Sequence, residues 1–188
     1  MNPVLVIISI NIGVAIATSI SSGLIYDLGL YSPAELFLDK PWGLITSMFI
    51  HDGFFHLFAN MITLYFFGNF LNRLIGSGRL LLIYLGGGIL GNVFFVLLGT
   101  LLNPDLAALA VGASGAVFAL GGALTVMMPR LRVVIFPIPA PIPLWVAVIG
   151  GFIILSFLPY VAWEAHLGGL LFGLIFGYIF KGKRRYNV

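Results

Sequence analysis

The segment Val111-Gly112-Ala113-Ser114-Gly115-Ala116 opens an apolar run that continues to Met128. It is built from small residues and carries one hydroxyl. As a helix, Ser114 to Met128 covers only ~22 Å, short of the ~30 Å hydrocarbon core of a bilayer. Non-helical backbone is tolerated at membrane depth only where it is buried in protein or lines a cavity. The segment therefore reads as a short helix inside a membrane bundle, with Ser114 at its mouth below the membrane surface.

Composition requires the bilayer. Of 188 residues, 61% are hydrophobic and 8% charged, where a soluble domain carries about a quarter charged residues. No soluble fold of this length has enough interior to hide so much apolar side chain. The absence of cysteine excludes a disulfide framework and a thiol nucleophile. The nine Lys and Arg residues cluster at segment ends rather than on one face, so no nucleic-acid partner is implied. The N-terminus lacks the basic region and cleavage site of a signal peptide, and its apolar stretch reads as a retained span.

Working outward, six spans are predicted: Val4 to about Tyr26, Phe54 to about Ile75, Arg79 to about Leu102, Ser114 to Met128, Leu144 to Leu158 and Ala165 to Phe180. Gly76-Ser77-Gly78 and Asn103-Pro104-Asp105 mark turns. The proline-rich run from Pro137 to Pro143 cannot be helix interior. Residues 27–53 mix charges, Trp42, Tyr31 and short apolar patches, the pattern of a long structured loop in the membrane interface. The fold class is an all-α membrane protein, a six-helix bundle occupying residues 1–188 without a separate soluble domain.

Charge tests this topology. With six crossings, Arg73, Arg79, Arg130, Arg132, Lys181, Lys183, Arg184 and Arg185 fall on the side of both termini. Asp27, Glu35, Asp39, Asp52, Asp105 and Glu164 fall opposite, with Lys40. The basic side is cytoplasmic by the positive-inside rule. Ser114 and His166 then share the outer ends of their helices, in a multi-pass protein of the cell membrane.

Two clusters carry chemistry. Ser114 lies in a small-residue stretch that serves equally as a packing seam; Phe118 follows one turn later on the same face. His166 opens the last span, where a histidine is also at home as an interfacial residue. Ala165, Gly169, Gly173 and Gly177 then recur every four residues. Such a ladder lets a partner backbone approach closely; Gly115, Ala119 and Gly122 offer the complementary surface. That packing would bring an imidazole to a hydroxyl, the geometry of an activated serine. With no acid suitably placed, a dyad is simpler than a triad. The second cluster is His51, His56 and Asn60, with His56 and Asn60 on one helical face. These residues read as interhelical hydrogen-bonding groups, as donors to an oxyanion or, less naturally, as metal ligands. The spacing lacks a His-Glu-x-x-His pattern, so no metal and no cofactor is expected.

Taken together, His51-x4-His56-x3-Asn60, then Gly112-Ala113-Ser114-Gly115, then Ala165-His166 with Gly169 and Gly173, on six spans, resemble the rhomboid intramembrane serine proteases. The resemblance runs from about residue 40 to 180. It implies Ser114 as nucleophile and His166 as general base. It further implies an oxyanion hole from His56, Asn60 and the Ser114 backbone N–H, with Gly112 in its stabilisation, His51 structural and Phe118 packed on the catalytic imidazole. The substrates it implies are single-span transmembrane proteins in the lipid bilayer, cleaved where small or helix-breaking residues let the helix unwind. The fifth span and the 159–164 loop would be gate and cap. The family often has Trp-Arg where Trp42-Gly43 stands, and a glutamate where Asn72 stands; both bear on loop anchoring. The alternative is a catalytically inactive relative that binds transmembrane helices, or a polar conduit built on His56, Asn60 and His166.

Overall fold

The computed structural model describes residues 1–134 and 139–181. In chain order these form α1 (Pro3–Ile20), α2 (Gly23–Leu28), β1 (Leu30–Ser32), α3 (Ala34–Asp39), α4 (Gly43–Thr46) and a 3-10 turn (Ser47–Phe49). There follow α5 (Phe54–Ile75), α6 (Ser77–Leu102), β2 (Ala108–Ala110), α7 (Ser114–Met127), β3 (Arg132–Val133), β4 (Ile142–Pro143), α8 (Leu144–Ser156) and α9 (Trp163–Lys181). Helices α1, α5, α6 and α9 are long and apolar enough to cross a membrane; α7 and α8 are shorter apolar helices. The basic residues Lys183, Arg184 and Arg185, and Pro137 of the proline-rich loop, lie outside the described residues.

Local chemistry sets the boundaries. Asn2 caps α1, its side chain accepting from the Val4 N–H, with Pro3 in the first turn, where a missing N–H costs nothing. The expected first span to Tyr26 is too long. Helix α1 stops at Ile20, and α2 begins separately at Gly23. The break falls at Ser21-Ser22-Gly23, two serines of modest helix propensity followed by a glycine of low propensity. The other five helices match their expected spans to within two residues at each end. The all-α expectation is amended by two short antiparallel ladders, β1 with β2 and β3 with β4.

Helix α7 is the centre of the bundle, buried at Gly115, Ala116 and Val117 and again from Ala119 to Leu124. Helix α9 packs along it in parallel, with Gly169 against Gly115, Gly173 against Ala119 and Gly177 against Ala123. A Cβ at Gly173 would lie 2.7 Å from the Ala119 Cα, so only glycine permits this approach. The reward is dispersion contact between backbones, the main adhesive where lipid is as apolar as the side chains. Helix α6 runs antiparallel to both, Gly87 crossing Ala119 and Gly91 crossing Ala165.

The outward faces carry large exposed apolar side chains, among them Phe54, Phe55, Phe58, Phe66, Leu97, Leu101, Ile154, Phe157, Ile175 and Ile179. A surface this apolar is stable only against lipid, and the chain is a multi-pass membrane protein. Asn2 Nδ2 donates to Asn69 Oδ1 at 2.7 Å, and the Arg79 guanidinium lies 5.2 Å from the Phe180 ring centroid. The start of α1, the end of α5, the start of α6 and the end of α9 therefore share one end of the bundle. Ser114 and His166 occupy the other.

The segment between α1 and α5 is tied down by polar contacts. Trp42 Nε1 donates to the Asp27 carbonyl at 2.7 Å, and Lys40 Nζ pairs with Asp27 at 3.1 Å. Gly43 abuts the Gly29–Leu30 backbone; a Cβ there would stand 3.0 Å from the Leu30 Cα. No side chain fits at 43, which accounts for the glycine after Trp42.

Candidate functional site

The site forms where the N-termini of α7 and α9 meet. Because the two helices are parallel and in close register, the first residue of α7 and the fourth of α9 come side by side. Ser114 Oγ and His166 Nε2 are 2.7 Å apart, a short hydrogen bond. His166 is 5% exposed, and its Nδ1 has no hydrogen-bond partner among the described residues. A third group that would orient the imidazole is thus absent among the described residues; Glu164, though adjacent, does not serve. The imidazole is held instead by packing: the Phe118 ring lies 4.7 Å away, centroid to centroid, tilted 35°. Phe152 of α8 meets the Phe118 ring at 6.1 Å, edge to face.

Chain reversal before α7 is made by Gly112, with φ 124°, a conformation closed to residues bearing a Cβ. Space imposes the same choice, since a Cβ at Gly112 would lie 2.7 Å from His56 Nε2 and 3.8 Å from Ser114 Oγ. The His56 imidazole is therefore against the loop that delivers Ser114. His51 packs edge-on against His56, ring centroids 5.0 Å apart. His51 is 4% exposed, and burial, reinforced by His56, pushes its imidazole down from 6.5 to about 4. It is a neutral packing partner at physiological pH.

Asn60 is buried one turn beyond His56, and its Nδ2 donates to the His56 carbonyl at 3.0 Å. The structure so brings Ser114, His166, His56, Gly112 and Phe118 together, with His51 behind His56 and Gly169 at the first rung of the helix ladder below. Asn60 shares the His56 face but spends one N–H on its own helix. Among the described residues no three His, Cys, Asp or Glu side chains gather as a metal ligand set.

Sequence reasoning passed over a second layer. Asn92 Nδ2 of α6 donates to the Leu44 carbonyl at 2.8 Å and to Ser47 Oγ at 2.9 Å. The Ser47 carbonyl accepts from the Gly112 N–H at 2.9 Å. Strand β2, which leads into that loop, pairs with β1, Leu30 opposite Ala110. The available signal was Asn92 itself, a carboxamide within an apolar helix, where a polar group is costly unless partnered.

The Rhomboid domain family model matches residues 38–183. Rhomboid protein 1, mitochondrial, of Saccharomyces cerevisiae is 33% identical over 162 residues, covering 76% of this chain and 43% of that protein. RHOMBOID-like protein 1 of Arabidopsis thaliana is 35% identical over 147 residues, 78% of this chain and 36% of its own length. Rhomboid protease GluP of Bacillus subtilis is 41% identical over 83 residues, 44% of this chain and 15% of that protein. The chain spans less than half the length of these relatives.

Proposed function

The chain belongs to the rhomboid family, and from that premise we propose that it is an intramembrane serine protease working through a Ser114–His166 dyad. The observation that carries the proposal is the 2.7 Å contact between Ser114 Oγ and His166 Nε2, made at the partly buried ends of two helices that glycines hold in register.

In the reaction, His166 Nε2 takes the Ser114 proton as Oγ attacks the scissile carbonyl. The developing oxyanion lies toward His56 and the first turn of α7, whose leading N–H groups have no intrahelical acceptor. Asn60 supplies a further N–H on the His56 face. His166 then protonates the leaving amine, and water releases the acyl group from Ser114. Phe118 keeps the ring aimed at Oγ in place of a third polar group.

Six helices, α1, α5, α6, α7, α8 and α9, cross the bilayer. The end bearing Arg73, Arg79, Arg130 and Lys181 is cytoplasmic by the positive-inside rule, and the dyad opens toward the outer side. The substrate is a transmembrane helix of another protein, unwound locally where small or helix-breaking residues weaken it. Helix α8 and the 159–164 segment act as gate and cap. An engineered disulfide tying Phe152→Cys to α5 is expected to block cleavage, and unimpaired cleavage would argue against that gate.

The test is cleavage of a single-span substrate in liposomes by the parent and by Ser114→Ala. Loss in the variant is expected. Equal cleavage by both would mean another nucleophile, and cleavage by neither, with no reaction of Ser114 toward a fluorophosphonate, would favour a helix-binding protein without catalysis.

A further inference from the structure

Asn92 and Ser47 stand outside the catalytic cluster, yet they are joined to it by consecutive hydrogen bonds. Both are buried, Asn92 at 6% exposure and Ser47 at 2%. The Asn92 carboxamide, fixed on α6, donates to Ser47 Oγ and to the Leu44 carbonyl. These two donations, one from each amide hydrogen, pin the turn that begins at Ser47. The same turn is clamped on α6 one helical turn earlier, where Met48 fills the space over Gly88. With the turn immobilised, the Ser47 carbonyl has a fixed direction, and it accepts from the Gly112 N–H at 2.9 Å.

Gly112 is the residue whose orientation matters most to the loop. Its φ of 124° is one of several conformations a glycine adopts at little cost, so the residue does not by itself define the path into α7. The Ser47 carbonyl does. Rotating Gly112 away would move its Cα, which lies against His56 Nε2, and would re-aim the peptide groups that precede Ser114.

We propose that Asn92 and Ser47 are positioning residues for the oxyanion pocket: Asn92 fixes Ser47, and the Ser47 carbonyl selects the Gly112 conformation that presents His56 and the α7 N-terminus to the oxyanion. This rests on the protease reading and extends it to residues that touch no substrate. It also gives the segment between α1 and α5 a mechanistic task, since that segment carries Ser47.

Positioning predicts coupling. Acylation of Ser114 by a fluorophosphonate, and kcat and KM on a single-span test substrate in liposomes, would be measured for the parent, Asn92→Ala, Ser47→Ala, His56→Ala and the Asn92→Ala/His56→Ala double variant. Asn92→Ala is expected to slow acylation and kcat about tenfold, as misaligned groups do, with KM within about twofold. In the His56→Ala background the Asn92→Ala loss should shrink to within about twofold, because residues that act as a unit are non-additive. Losses that multiply, a loss carried by KM alone, or no loss would overturn the proposal. If Asn92→Ala does not fold, Ser47→Ala, which removes one acceptor oxygen, is judged by the same criteria with His56→Ala. A parent that fails to acylate at Ser114 would refute the protease reading itself; a parent and variant that acylate alike would refute only the positioning.

Discussion

Adding one methyl group at Gly169 should disable the site while leaving the fold recognisable. A Cβ there would stand 2.7 Å from the Gly115 carbonyl carbon and 3.0 Å from the Gly115 Cα. Unstrained carbon–carbon contacts lie at about 3.5–4.0 Å, so α7 and α9 must part by about 1 Å at this rung. The neighbour is backbone within a packed core, which does not compress. Gly169 is less than one turn beyond His166, and Gly115 adjoins Ser114. The displacement therefore reaches the 2.7 Å contact of Ser114 with His166 and stretches it past hydrogen-bond range. Overpacking of this kind costs about 1–3 kcal/mol in stability, and a misplacement of about 1 Å costs about a hundredfold in rate. Gly177→Ala is the control. Its Cβ would also run into backbone, 2.6 Å from the Ala123 Cα, but about 12 Å farther along the helix. Both variants should lower the melting temperature in detergent. Cleavage in liposomes should fall about a hundredfold for Gly169→Ala and less than about threefold for Gly177→Ala. Equal effects of the two on kcat, or parental kcat in Gly169→Ala, would refute the link between ladder register and dyad geometry.

Three further outcomes follow from the site. His56→Ala removes a donor beside the Gly112 loop, and kcat should drop about a hundredfold with little change in KM; a rise in KM alone would remove His56 from the oxyanion pocket. Phe118→Leu withdraws the ring that packs on His166, and kcat should fall by up to about tenfold, the value of an aromatic contact; unchanged steady-state kinetics would show that the ring does not hold the imidazole. For His51 the folded-state value of about 4 lies below 6.5, so the unfolded chain binds the proton more readily. Its contribution to stability is complete above 6.5 and is lost as pH falls toward 4. Melting temperatures should decline across that window, and His51→Gln, which cannot titrate there, should decline less; equal slopes would contradict the assignment.

The bundle was legible because its signals are intrinsic to the chain. Apolar runs of spanning length, the glycine and proline breaks and the four-residue recurrence of Gly169, Gly173 and Gly177 each have one economical reading. The adjacency of Ser114 and His166 followed from the same ladder, since close parallel packing of α7 and α9 brings the two side chains together. What escaped is what backbone geometry decides. The end of α1 at Ile20 falls at Ser21-Ser22-Gly23, residues of low helix propensity that an apolar window averages away. The β1–β2 pairing joins segments far apart in sequence through backbone groups that every residue owns. The Asn92–Ser47–Gly112 connection runs through one carboxamide and one carbonyl, and only Asn92 leaves a trace in the sequence. Gly43 reads as a departure from the family's Trp-Arg until the Gly29–Leu30 backbone is seen against it.

The central claim is that Ser114 is a nucleophile activated by His166. Its most direct measurement is the site and rate of covalent labelling by a fluorophosphonate in liposomes, read by mass spectrometry of the intact chain and its peptides. A single adduct on Ser114, formed by the parent and abolished by His166→Ala, is the predicted result. Labelling elsewhere, or labelling of Ser114 at the same rate without His166, would contradict it.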